Sequence, residues 1–181
     1  MQAKQLSSGD RRKSLLDQFR RHGVDAERIV LKGHVKRADY LGTYRLIDFC
    51  IDPFPFPGGT TTAESLWMGV PVLTLEGKTF IGKQGASMMS AVGLNEWIAS
   101  SEEDYVNRAI RHASDLTCLA EIRRTLRQCA LESPLYNAEK FAVNLTEALW
   151  GMWKEVEEKR MHIDSQFRGA DASAGNLSLD A

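Results

Sequence analysis

Apolar positions along this chain follow two alternating rhythms. Leu15, Leu16 and Phe19 fall at helical spacing behind the capping candidates Ser8 and Asp10, and Gly23 supplies a stop, which predicts a short amphipathic helix. Its arginines read as a solvated face opposite the apolar stripe. "RIVLKG" at 28–33 is a short β-branched run and predicts a strand, after which Tyr40, Leu41, Tyr44 and Ile47 return to helical spacing over 37–48. "FCID" at 49–52 reads as strand, "TTAESLWMG" as helix, "VPVLTL" at 70–75 as strand and "IGKQGASMMSAVG" at 81–93 as helix. Strand and helix exchanging across short connections implies right-handed crossovers and a parallel sheet covered by helices on both faces, an α/β fold.

Beyond Ser101 the strand signal fades. Helical patterns over 102–115 and 117–131 are followed by a break at "ESPLYN" and then by a long final helix. In that helix Phe141, Leu145, Leu149 and Trp153 recur every four residues, and Ala142, Ala148, Met152 and Val156 widen the stripe. Such a face belongs against another surface, either this domain or a neighbour. The tail over 161–181 is small and polar without periodicity and is expected to be disordered, leaving one domain over 1–160.

With 181 residues the chain is long enough for one core that buries roughly 70% of its unfolded surface. The formal net charge of -1 gives no overall positive field to attract nucleic acid or an anionic membrane, so neither is an expected partner. Cys50, Cys118 and Cys129 are an odd number without metal-ligand spacing, and nowhere do eighteen apolar residues run together. The opening residues lack the apolar core of an export signal. A soluble, cytoplasmic protein is expected, with no metal. His22, His34, His112 and His162 have no companions that suggest a triad or a metal site.

The densest local signal is "CIDPFPFPGGTTTAESLWMG" at 50–69, where a strand meets three prolines, two glycines and three threonines before a helix begins. In an open parallel sheet, ligands collect beyond the carboxyl ends of strands, which is where this corner lies. Gly58 and Gly59 let the backbone approach a ligand, while Thr60, Thr61 and Thr62 bring hydroxyls and free N–H groups to the helix's positive end, suited to phosphate. No Gly-Lys-Ser/Thr lies within the corner at the spacing a P-loop needs, and the Gly-x-Gly-x-x-Gly dinucleotide pattern is absent. Thr61-x-x-Glu64 also fits a capping box, in which Thr61 caps the helix and Glu64 returns to the Thr61 N–H. On spacing alone, both readings stand.

The wording from "DPFPFPGGTTTAESLWMGVPVLTLEGKTFIGKQGASMM" through "GLNEWIASSEEDYVNRA" and "SPLYN" to "FAVNLTEALWGMWKEV" resembles the donor-binding half of the O-GlcNAc transferase/SPINDLY glycosyltransferase family, collinearly over roughly residues 28–157. The resemblance implies a GT-B enzyme, two Rossmann-like domains facing across a cleft, of which this chain is most of the C-terminal, nucleotide-sugar-binding domain. It implies that Gly59, Thr60 and Thr61 lie at the diphosphate of UDP-GlcNAc, and that Glu64, where the family usually has Asp, accepts from the ribose hydroxyls. "GHVKRADY" resembles the loop that holds the uracil, so that Val35 offers its backbone to the base edge, Arg37 covers the ring and Tyr40 stands where a His is common. For Arg37 and Tyr40 the residues alone read as helix surface and core. Lys83 receives no role and reads as a surface lysine.

Two functions follow as expectations. One is the UDP-sugar-binding part of a protein O-GlcNAc transferase, with a nucleotide sugar and a protein acceptor as partners and no cofactor. The tetratricopeptide repeats and N-terminal catalytic domain usual in the family are absent here, so the chain alone is expected to be inactive and its catalytic base is not assigned. The other is a non-catalytic module that binds a nucleotide weakly or docks to a protein.

Overall fold

Three short parallel strands carry the centre of the computed structural model, which describes residues 1–174, with side chains as far as residue 162. Their order in the sheet is β1 (Cys50–Ile51), β2 (Val72–Leu75), β3 (Ile98–Ala99). Cys50 pairs with Val72 and Ile51 with Leu73, and on the other edge of β2 Thr74 pairs with Ile98 and Leu75 with Ala99. The fold is the α/β, Rossmann-like class expected, with helix predominating.

The helices are α1 (Gly9–Arg21), α2 (Arg37–Thr43), α3 (Thr60–Trp67), α4 (Gln84–Ala91), α5 (Glu102–Ser114), α6 (Leu116–Glu132) and α7 (Ala138–Ala174). The core lies where α3, α4, α5 and α6 meet the sheet: Leu66, Val72, Leu73, Met89, Trp97, Ala99, Leu119, Leu126 and Ala130 are buried together. β2 is the central strand and is sealed from water over Val72, Leu73 and Thr74, as a continuous apolar run in a covered parallel strand requires. α6 closes the domain from its far end. The Arg123 guanidinium donates to the carbonyls of Ile47 and Asp48, and the Tyr136 hydroxyl donates to the Ala63 carbonyl of α3.

Three sequence expectations are corrected. Residues 28–33 form no strand: Ala26–Arg28 is a 3₁₀ turn, and Lys32 makes a single parallel bridge to Gln2. Among the described residues its backbone pairs only with the N-terminal residues, and Val30 remains 65% exposed. The helix expected over 37–48 stops at Thr43 and tightens into a 3₁₀ turn at Tyr44–Leu46. β3 has no counterpart among the expected strands, because two residues are too few to show a period, and Ala99 holds its place through complete burial. The last helix runs from Ala138 to Ala174. The segment contains no proline and several good helix formers. Residues 175–181 of the expected tail lie outside the described residues.

The apolar stripe of α7 does not fold back on the domain. Phe141, Leu145, Leu149 and Trp153 are all exposed. Packing ends just before, at Leu135 and Tyr136, which reach the core, and Asn137 starts α7 by accepting the Lys140 N–H at 2.8 Å.

Candidate functional site

The corner after β1 is built around one buried acid. Asp52 is 7% exposed, and its N–H donates to the Leu73 carbonyl at 2.8 Å, which extends the β1–β2 ladder by one residue. Its own carbonyl accepts the Tyr105 hydroxyl of α5 at 2.7 Å. Its side chain turns toward the glycines: Oδ1 accepts the Gly58 N–H at 3.1 Å and the Thr62 hydroxyl at 3.4 Å. The proline-rich segment thus leaves the sheet and returns to the residue it left from, with Phe54 edge-on to Tyr105 at 5.4 Å. A Cβ on Gly58 would sit 2.6 Å from the Thr62 hydroxyl oxygen and 2.7 Å from that of Thr61, so a side chain there would have to push these hydroxyls aside. Gly59 faces Gln84 of α4, whose side-chain nitrogen would lie 3.1 Å from an added Cβ.

α3 begins at Thr60 with Gly59 as N-cap and no side-chain cap. The capping box is therefore not formed, since the helix starts two residues earlier than that motif needs. Glu64 has another partner: its carboxylate binds the Arg37 guanidinium of α2. The exposed Thr60 and Thr61 and the half-open Gly59 stand at the positive end of α3 with no carboxylate or hydroxyl capping its first turn. Such an end suits an anion.

Three of the residues matched to the base and ribose side come together, and the network runs back to the corner. The Arg37 guanidinium lies 5.7 Å from the Tyr40 ring centroid. The hydroxyls of Tyr40 and Tyr44 share a hydrogen bond of 2.9 Å, and that of Tyr44 donates to the Thr61 carbonyl at 3.2 Å. Burial pushes both phenols above their ordinary value, so both stay neutral hydrogen-bonding groups at physiological pH. Val35 lies half-buried on the same side and lines, with Arg37, Tyr40, His34 and Gln2 to Lys4, an open cavity of about 310 Å³. Gly59 and Thr60 do not line that cavity, and they lie at the other end of the Arg37–Glu64 pair and the tyrosine relay.

Beneath the corner, burial raises the Asp52 carboxyl above the usual carboxylate range, while the Gly58 N–H and the Thr74 and Thr62 hydroxyls pull it down. Asp52 Oδ2 and the Thr74 hydroxyl are buried beside each other without a hydrogen bond of good geometry. α4 presses on both through Gly85: a Cβ there would collide with the Thr74 hydroxyl and lie 2.9 Å from Asp52 Oδ2.

Asp52, Tyr44 and Gln84 join the site only in three dimensions, and only the Asp52–Gly58 spacing hints at this in sequence, as a turn that could close on an acid. Lys83 is a surface residue, 3.8 Å from Glu76. His34 is exposed, its N–H donating to the Ser7 hydroxyl at 3.0 Å. His112 lies flat on Trp97 with centroids 3.9 Å apart, a packing role.

Residues 9–145 match the model of glycosyl transferase family 41. The chain is 41% identical over 130 residues to the probable UDP-N-acetylglucosamine–peptide N-acetylglucosaminyltransferase SPINDLY of Eustoma exaltatum subsp. russellianum, a match covering 72% of this chain and 14% of that protein. The corresponding Arabidopsis thaliana protein is 39% identical over 132 residues, covering 73% and 14%. Among solved structures, a lysine-to-methionine mutant of Thermobaculum terrenum O-GlcNAc transferase superposes with a TM-score of 0.78 at 33% identity, over 85% of this chain and 30% of that one. The chain thus spans about a seventh of the length of these curated relatives.

Proposed function

Since the chain belongs to glycosyl transferase family 41, we propose that it is the UDP-sugar-binding part of a protein O-GlcNAc transferase-like enzyme, which transfers GlcNAc from UDP-GlcNAc to serine or threonine hydroxyls. The observation that carries this reading is the uncapped start of α3 at the carboxyl end of β1, joined through Tyr44 and Glu64 to Arg37 and Tyr40. The N–H groups and hydroxyls of Gly59, Thr60 and Thr61 take the diphosphate, where negative charge grows as the sugar leaves. Donors fixed in advance stabilise that charge without reorganising. Arg37 covers the uracil ring, with Val35 at its edge and Tyr40 behind the guanidinium. Glu64 holds Arg37 through one oxygen and accepts from the ribose through the other.

Transfer also needs an acceptor hydroxyl placed opposite the anomeric carbon, and we assign that task to the N-terminal half of a GT-B enzyme. The chain by itself is then a binding unit with little or no turnover. Three unpaired cysteines, Cys50, Cys118 and Cys129, favour a reducing, cytoplasmic setting, and among the described residues no helix is long and apolar enough to cross a membrane.

Calorimetric titration with UDP tests the site. Thr60→Ala and Thr61→Ala are each expected to weaken binding by about tenfold, the value of one hydrogen bond to a charged group, with the circular dichroism spectrum unchanged. Equal binding by wild type and both variants would leave these threonines only a part in starting the helix. A second reading, a non-catalytic docking module, draws on the exposed stripe of α7; it is favoured if the folded wild type binds no UDP.

A further inference from the structure

We infer that Asp52 is a positioning residue for the diphosphate corner: from beneath the turn its carboxyl holds the Gly58 N–H and the Thr62 hydroxyl, and so sets the direction in which Gly59, Thr60 and Thr61 present their N–H groups. The inference rests on the reading of that corner as the diphosphate site and adds a residue that does not touch the ligand.

The geometry makes Asp52 the fixed point of the loop. Its main chain is held on one side by β2, through the Leu73 carbonyl, and on the other by α5, through Tyr105. One oxygen of its side chain gathers donors that flank the three binding residues, Gly58 before them and Thr62 after them. A turn with two consecutive glycines has many accessible conformations, and two bonds to one buried, immobile oxygen select among them. Tyr44 adds a third tie from outside by donating to the Thr61 carbonyl. The N–H directions of Gly59 to Thr61 are thereby settled before any ligand arrives, the condition under which fixed dipoles serve best.

The second oxygen shows what the acid does not do. Oδ2 faces Thr74 and Gly85, away from the corner, and finds no good partner there. A residue present only to stabilise the core would be better replaced by an apolar side chain of similar volume, since a buried oxygen without a good partner is destabilising. What the acid contributes lies in the turn that its other oxygen holds. Asparagine keeps that acceptor and brings to the second position an amide that can donate to Thr74, whereas alanine removes the acceptor altogether.

The test compares UDP with uridine, which shares the base and ribose but has no phosphate, measuring both dissociation constants for wild type, Asp52→Ala and Asp52→Asn. Wild type is expected to prefer UDP by at least tenfold. Asp52→Ala should lose most of that preference while binding uridine as before, and Asp52→Asn should recover it to within about threefold. Equal loss of UDP and uridine binding in Asp52→Ala, or an unchanged preference, overturns the inference, as does an asparagine variant that behaves like alanine. A wild type that binds UDP no better than uridine overturns the diphosphate reading itself, an outcome distinct from a failure of the brace. If Asp52→Ala does not fold, Thr62→Val removes one of the two bonds at constant shape. A severalfold drop in preference is then expected, and no drop overturns the inference.

Discussion

Position 85 accepts no side chain. α4 crosses β2 so closely there that one methyl group would press into the Thr74 hydroxyl and Asp52 Oδ2, and the residues around it are fully or nearly buried and cannot give way. Gly85→Ala should therefore destabilise the domain by about 1–3 kcal/mol in urea unfolding, despite the better helix propensity of alanine. Wild-type stability in that variant would mean that α4 can lift off the strand. The same scale shows what was legible in sequence. The positions of Gly58 and Gly59 and the start of the following helix near Thr60 follow from local spacing. The capping box fails because the helix already starts at Thr60, and Glu64 turns instead to Arg37, 27 residues away, which no local window contains. Asp52 reads as the end of a strand because its donors lie 6 and 10 positions downstream, brought back by a proline-rich loop whose path spacing does not encode.

Among the elements, α7 departs most from expectation. Its periodicity is correct, but periodicity reports that a helix has an apolar face and not where that face goes. Phe141 at 61%, Leu149 at 55% and Trp153 at 56% exposure contribute little to holding the domain together. Truncation after Asn137 should then change the unfolding free energy by no more than about 0.5 kcal/mol, as for a surface change, and should improve solubility by removing an exposed apolar patch. A large loss of stability would place α7 against the domain in solution. The strands teach the converse. Residues 28–33 have the composition of a strand but pair only through a single bridge to Gln2, while Ile98–Ala99 have a full neighbour with little composition to announce them. β-propensity records fit to a half-buried surface, so the tertiary setting decides both cases.

For the molecule as a whole, the alternation of strand and helix was enough to indicate a parallel α/β domain, because few topologies satisfy that order. The proposed division of labour is tested at this scale. Incubated with UDP-GlcNAc and an acceptor protein, the chain should release no more UDP than a buffer control, and robust transfer would mean that these residues already contain an acceptor site and a base. The ties that complete the corner also have a place in time. Tyr105 follows Asp52 by 53 residues and Tyr136 follows Ala63 by 73, and at 5–20 residues per second the ribosome delivers each anchor roughly 3–15 s after the group it secures. During that interval the nascent β1 and its glycine turn have no α5 or α6 to rest on. A translational pause between residues 63 and 105 would prolong the exposure of an unpaired strand edge, so the pace of synthesis through that segment bears directly on the yield of folded protein.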